Sequence, residues 1–355
     1  MPDYFIIINK AVVVLLYDMI KKILNKPGEE VREMLEGLVI AFPDLIELDP
    51  KYNNVYRKNK KKDKVAIITG GGSGHEPAYS GYVGYGMLDA AIAGAVFTSP
   101  STMQIYQAMK TVATEKGVLS IIMNYTGDKI NFKAAMKLAE DDGIKTDLVI
   151  SNDDVALPDK EMRRGTTITV LAHKIAGAAA EEGMEINDVK KIAQEVIDNG
   201  RDIGVALTPC SVPAAGKYSF ELKEDEIEFG IGIHGEPGVQ RIKYIPSAQL
   251  AKMMVDKLMD DLKLKKGDEV ILVVQGTGGT PYMEKLVFYR DVMNYLKELQ
   301  LKVYASWVGE FLTSIEMQGA RVAVLKANEE IKRLFSAPAL TPVIKTMPMA
   351  STVMS

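Results

Sequence analysis

The chain has 355 residues, 47% of them apolar and 25% charged, with a formal net charge of −4. That is the usual balance of a soluble globular protein, long enough for two hydrophobic cores, and its mild acidity gives no electrostatic reason to bind nucleic acid. A single cysteine, Cys210, excludes an internal disulfide and a cysteine-built zinc site, and no apolar run reaches the roughly 18 residues that span a bilayer.

At the N-terminus, Asn9 and Lys10 interrupt an apolar stretch that Tyr17 and Asp18 end. No targeting signal is expected there, which implies a cytoplasmic protein. Residues 19–41 read as a helix with Leu24, Val31, Leu35 and Leu38 on one side. Residues 57–64 (RKNKKKDK) read as a solvated loop before a strand. A buried strand is predicted over 65–69, a glycine loop over 70–74, and further strands over 117–123 and 148–150. Residues 129–138, 167–182 and 186–199 read as helices. The texture changes near residue 200. Beyond it come strands over 203–207, 227–233, 270–274, 302–308 and 321–325, a helix over 247–263 and a second glycine loop over 275–280. This alternation predicts an α/β fold. It divides the chain into an extension (1–18), a first α/β domain (19–200) and a second (201–355).

Three histidines are present, and two of them sit in glycine-rich segments at strand ends, where open α/β sheets bind ligands. His75 closes the segment GGGSGHEP at 70–77. This segment lacks the Lys-Ser/Thr end of a P-loop and fits the dinucleotide fingerprint poorly. His75 is either an acid–base group beside a polar ligand or the cap of a turn. Asp128 ends NYTGD at 124–128. It either caps the helix that follows or reaches a bound hydroxyl. His234 leaves an apolar strand within GIGIHGEPG at 230–238. It is either a turn histidine or, if neutral, a nucleophile toward a carbonyl. His173 lies within a predicted helix, with no ligand type three or four residues on, and reads as structural rather than metal-binding.

Together with GYVGYGML at 81–88, FTSP at 97–100, NF at 131–132, VPAAGK at 212–217 and TS at 313–314, these segments resemble the substrate-binding subunits of dihydroxyacetone kinases, the DhaK type. The resemblance implies two α/β domains (DhaK/DegV-like) with the active site at their interface. It implies a hemiaminal between His234 and dihydroxyacetone, with His75 as base for phosphoryl transfer and Asp128 assisting adduct formation. Gly72, Ser73 and Gly74 are then substrate contacts. It further implies a homodimer, no cofactor on this chain, and a separate DhaL-type subunit that carries ADP/ATP and Mg²⁺. Relatives that act as ketone sensors for a transcription factor, and kinases of other short ketoses, are the alternatives. Met123 stands where the family usually has a substrate-contacting lysine, and Gln275 where it usually has asparagine.

Overall fold

The computed structural model describes residues 20–346. The extension predicted over 1–18 lies outside the described residues. Among the described residues no helix is long and apolar enough to cross a membrane.

Among the described residues, two six-stranded sheets dominate, and a short antiparallel pair, Ala339–Leu340 with Lys345–Thr346, forms a third. The first takes β1 (Ile46–Leu48), β2 (Asn54–Arg57), β3 (Ala66–Ser73), β4 (Ala90–Val96), β5 (Val118–Met123) and β6 (Thr146–Ser151). Their order is β1-β2-β4-β3-β5-β6. The last four run parallel, and β1 and β2 form an antiparallel edge. Helices α1 (Glu30–Ala41), α2 (Thr102–Val112) and α3 (Thr126–Asp141) flank this sheet. Side chains alternate along each strand, so neighbouring residues feed different cores. Ile68, Ile92 and Ile122 pack under α2 and α3, against Ile105, Met109 and Phe132. Ile67, Leu119 and Ile121 face the other way, toward α1, α4 (Thr167–Glu181) and α5 (Ile186–Asn199).

The second sheet takes β7 (Gly200–Ala206), β8 (Glu226–Phe229), β9 (Gln240–Lys243), β10 (Glu269–Gly276), β11 (Lys302–Gly309) and β12 (Gly319–Lys326), ordered β11-β10-β12-β7-β8-β9. Only β10 and β11 pair in parallel. Helices α6 (Ser247–Leu262) and α7 (Tyr282–Glu298) cover one face, where Met254, Leu258, Leu272, Val274 and Phe288 meet. On the opposite face Ile271, Val273, Ala323 and Leu325 join the same apolar cluster as Ile67 and Leu119. Helix α8 (Glu329–Ser336) closes that side.

Helix α4 is therefore shared. Every residue from Thr167 to Ala180 is buried, and a helix that is largely apolar all round belongs in a core. Its alanines and Gly177 keep it thin enough for both sheets to close on it. Each fully buried Ile or Leu contributes about 1.5–3 kcal/mol relative to exposure, and Ile168, Leu171 and Ile175 are fully buried.

Several boundaries differ from the sequence expectations, each for a local reason. The helix expected over 19–41 begins only at Glu30, because Pro27 and Gly28, the latter at φ +94°, break the helical backbone before it. The glycine loop expected at 70–74 is mostly strand, for β3 runs through Ser73 and pairs with β4. The strand expected over 227–233 stops at Phe229, where Gly230 turns at φ +80°. The basic run is solvated only in its middle. Arg57 and Lys64 at its ends are buried, paired with Asp89, and Arg57 also meets Glu181.

Candidate active site

Strand β3 delivers the first glycine segment to the seam between the sheets. Gly70, Gly71, Gly72 and Ser73 pair with Ile92, Ala93, Gly94 and Val96. His75 follows and is 1% exposed. Its Nδ1–H donates to the Thr313 carbonyl at 2.8 Å. The Thr313 N–H in turn donates to the His75 carbonyl at 3.2 Å, and the Ile315 N–H to the Gly74 carbonyl at 2.8 Å. A segment beside the second sheet thus clamps the loop carried by the first. Burial, helped by the nearby His234, pushes the His75 pKa down to about 3, against the pull of the Thr313 carbonyl. The ring is neutral at ordinary pH. With Nδ1 protonated, the Nε2 lone pair is free, and it meets no hydrogen-bond partner among the described residues.

His234 lies in the loop after β8. Two arginines hold that loop by its carbonyls. Arg164 donates to Gly230 at 2.8 Å and Arg321 to Ile231 at 3.1 Å. Arg164 is anchored on Asp154 and Arg321 on Asp202. The Glu236 carboxylate folds back on the same loop. Its Oε1 accepts from His234 Nδ1 at 2.8 Å and its Oε2 from the His234 backbone N–H at 2.9 Å. Burial alone would raise the Glu236 pKa, but these contacts with His234 bring it down to about 2. Three rings enclose the imidazole: His75 at 4.7 Å between centroids, Tyr125 at 4.7 Å and Phe97 at 5.0 Å, all edge-on.

Asp128 is not the cap of α3. Tyr125 holds that position, and Asp128 sits inside the first turn, 4% exposed. Burial pushes its pKa up to about 6, while Ser99 and His234 pull the other way. Its Oδ1 and the buried Tyr125 Oη are also without partners among the described residues. Buried polar atoms are normally satisfied. His75 Nε2, Asp128 Oδ1 and Tyr125 Oη are left bare in the surroundings of one imidazole, as a small ligand rich in oxygen would need.

The family model named Dak1 domain matches residues 36–343 of this chain. The chain belongs to the Dak1 family. It is 46% identical over 313 residues to the dihydroxyacetone-binding subunit DhaK of a PTS-dependent dihydroxyacetone kinase from Listeria innocua, covering 87% of this chain and 95% of that one. It is 37% identical over 353 residues to the DhaK subunit of the PEP-dependent dihydroxyacetone kinase of Escherichia coli, covering 91% and 99%. Among solved structures, the dihydroxyacetone kinase operon co-activator DhaQ superposes with a TM-score of 0.83 at 37% identity, over 89% of this chain and 97% of that one. The dihydroxyacetone kinase of C. freundii superposes with a TM-score of 0.85 at 34% identity, over 95% of this chain and 62% of that one.

Within this Dak1 chain the residues singled out from sequence fall unevenly. His75 and His234 come together, and Asp128 is near enough for His234 to act on its carboxyl. The Ser73 hydroxyl donates to the Gly94 carbonyl at 2.8 Å, and the Gly74 N–H donates to the Glu76 carboxylate at 3.1 Å. Gly72 passes beneath residues 97–98, where a Cβ would lie 2.6 Å from the Thr98 nitrogen. Met123 is buried and its sulfur accepts from the Tyr79 hydroxyl at 3.1 Å. His173 lies apart, in α4, donating from Nε2 to the Ile121 carbonyl at 3.1 Å. Sequence reasoning missed Glu236, Tyr125, Phe97 and the Thr313 carbonyl. Glu236 carried one usable signal, since it lies two residues from His234 in a glycine-rich turn that brings side chains back onto their own backbone.

Proposed function

We propose that this chain binds dihydroxyacetone as a hemiaminal on His234 and presents its free hydroxyl for phosphorylation, as the ketone-binding subunit of a dihydroxyacetone kinase. The observation that carries this is the His234 imidazole, hydrogen-bonded to Glu236 and packed on His75, with His75 Nε2 and Asp128 Oδ1 free of partners among the described residues. In the first step the Nε2 lone pair of His234 forms the C–N bond and the carbonyl π pair moves to oxygen. That oxygen takes a proton from Asp128, whose pKa near 6 suits donation close to neutral pH. The alkylated ring keeps its Nδ1 proton, hydrogen-bonded to Glu236, and its positive charge balances the carboxylate that Asp128 has become. A plain polyol has no carbonyl to attack, so the adduct selects ketones where hydroxyl contacts alone discriminate weakly. The bound ketone is also fixed in orientation, which aids the later transfer. His75, held neutral, accepts the proton of the terminal hydroxyl as the phosphoryl group arrives.

ADP/ATP and Mg²⁺ belong to a separate DhaL-type subunit in this proposal, with the chain acting in the cytoplasm as a homodimer. The likeness to PTS-dependent relatives supports phosphoenolpyruvate as the ultimate donor. A second reading, a ketone-binding co-activator of transcription, is favoured by Met123, whose thioether cannot donate a hydrogen bond, and by the likeness to DhaQ. The deciding experiment is phosphorylation of several C3 and C4 ketones by this chain with a DhaL-type subunit, beside carbon-13 NMR of carbonyl-labelled dihydroxyacetone. A labelled carbon that becomes tetrahedral on the wild type and not on His234→Gln, with turnover only when the partner is present, is the expected result. Adduct without turnover selects the co-activator, and no adduct rejects both.

A further inference from the structure

We infer that Glu236 is the positioning residue of the ketone site, deciding which nitrogen of His234 attacks; this rests on the function proposed above. Packing alone cannot make that choice. Three rings pressed edge-on around an imidazole restrict its plane. They do not distinguish the ring from the same ring turned over by 180°, since carbon and nitrogen positions have nearly the same shape. Only a hydrogen bond removes that ambiguity.

Glu236 supplies it twice over. Oε1 accepts from Nδ1, which assigns the proton to Nδ1 and leaves the lone pair on Nε2. Oε2 accepts from the backbone N–H of the same residue, which fixes the carboxylate relative to the Cα that carries the ring. The loop closes tightly for this purpose: the Gly232 N–H donates to the Glu236 carbonyl at 3.1 Å and the Gly235 N–H to the Gly232 carbonyl at 3.2 Å. Gly232 is where the backbone makes room. A Cβ there would run into the Glu236 carboxylate and lie 2.5 Å from Arg164 Nη1. Arg164 sends its Nε and Nη2 to Asp154 and the Gly230 carbonyl, while both hydrogen bonds described for the Glu236 carboxylate come from His234. When Nε2 attacks, the ring becomes cationic with Nδ1 still protonated, and the carboxylate stands against that charge. Glu236 touches neither ketone nor phosphate in this scheme, so its whole effect passes through His234.

Imidazole nitrogen-15 NMR tests the inference without any ketone, and only three histidines need assignment. In the wild type, His234 should show a protonated Nδ1 and a bare Nε2. In Glu236→Ala the signals should move toward the opposite tautomer or an average of the two. Glu236→Gln has one acceptor oxygen for two N–H donors; the backbone N–H of His234 takes it, the amide NH2 faces Nδ1, and the ring should move to the tautomer with the proton on Nε2. Both Glu236 variants should weaken the adduct, by about 10- to 100-fold, the range for lost orienting partners of histidine ligands. Gly232→Ala should copy Glu236→Ala in both measurements while the carboxylate is still present, and serves if Glu236→Ala does not fold. A wild-type tautomer pattern in Glu236→Ala, or in Gly232→Ala where that stands in, overturns the inference whatever the adduct does. A wild type that forms no adduct rejects instead the proposed function, while the tautomer measurement still decides whether Glu236 orients the ring.

Discussion

His75 donates from Nδ1 to the backbone oxygen of Thr313 at 2.8 Å, although 238 residues separate them along the chain. The segment that offers this oxygen leans in turn on the second glycine loop. The Ser314 N–H donates to the Thr277 carbonyl at 2.8 Å, and the Gly279 N–H to the Met317 carbonyl at 2.8 Å.

That chain of supports predicts an effect at a distance. Gly278 has φ +118°, and a Cβ there would strike the Ile315 carbonyl oxygen. Gly278→Ala should lower the unfolding free energy by about 3 kcal/mol and weaken ketone binding, although it touches neither histidine. Denaturant titration beside a binding titration checks it. Wild-type binding with wild-type stability would mean that the loop does not support His75.

Gln275 predicts a second effect. Its carbonyl oxygen accepts from the N–H groups of Phe311 and Leu312, at 2.8 and 2.7 Å, while its amide donates to the Thr167 hydroxyl at 2.7 Å. Asparagine, shorter by one methylene, cannot span from β10 to both. Gln275→Asn should leave a buried group unsatisfied and lower stability by about 1–3 kcal/mol. An unchanged melting temperature would show that the backbone relaxes to meet the shorter side chain.

Asp128 predicts a pH-dependent gain. Its carboxyl has a pKa of about 6 in the fold against 3.8 as the ordinary value. A raised acid leaves stability intact below its unfolded pKa and loses it as pH rises through the folded one. Asp128→Asn should therefore be more stable than the wild type at pH 8, by up to about 3 kcal/mol, with the advantage gone near pH 4. Ketone phosphorylation should be lost at both. A stability difference that does not vary with pH would show that ionisation of Asp128 is not its source.

The sequence made the repeating elements easy to see. The run Val118–Met123 is apolar almost throughout, and Ile186–Asn199 buries Ile186, Val189, Ile192, Ala193, Val196 and Ile197 on one face. Gly70, Gly71 and Gly72 hid a strand, because glycine is usually a sign of a turn, and here the strand needed a surface without side chains. The histidines of the site were conspicuous for their glycine neighbours. Their partners were not, since a carbonyl carries no side-chain signature and Thr313 reaches His75 only through tertiary folding. Glu236 looked like one more charged residue in a turn until the loop closed on it. Asp128 was visible as a candidate, but its elevated pKa depends on burial that one sequence does not display.

Helix α4, enclosed by both sheets, has a consequence for how the chain reaches its native state. Its burial requires contacts between residues near 67 and residues near 325, so most of the ordering entropy is lost before the central core gains its contacts. Folding dominated by such distant pairings is slow. The two sheets, though separate in hydrogen bonding, should melt together in one cooperative transition, because neither can leave without exposing the helix that both bury.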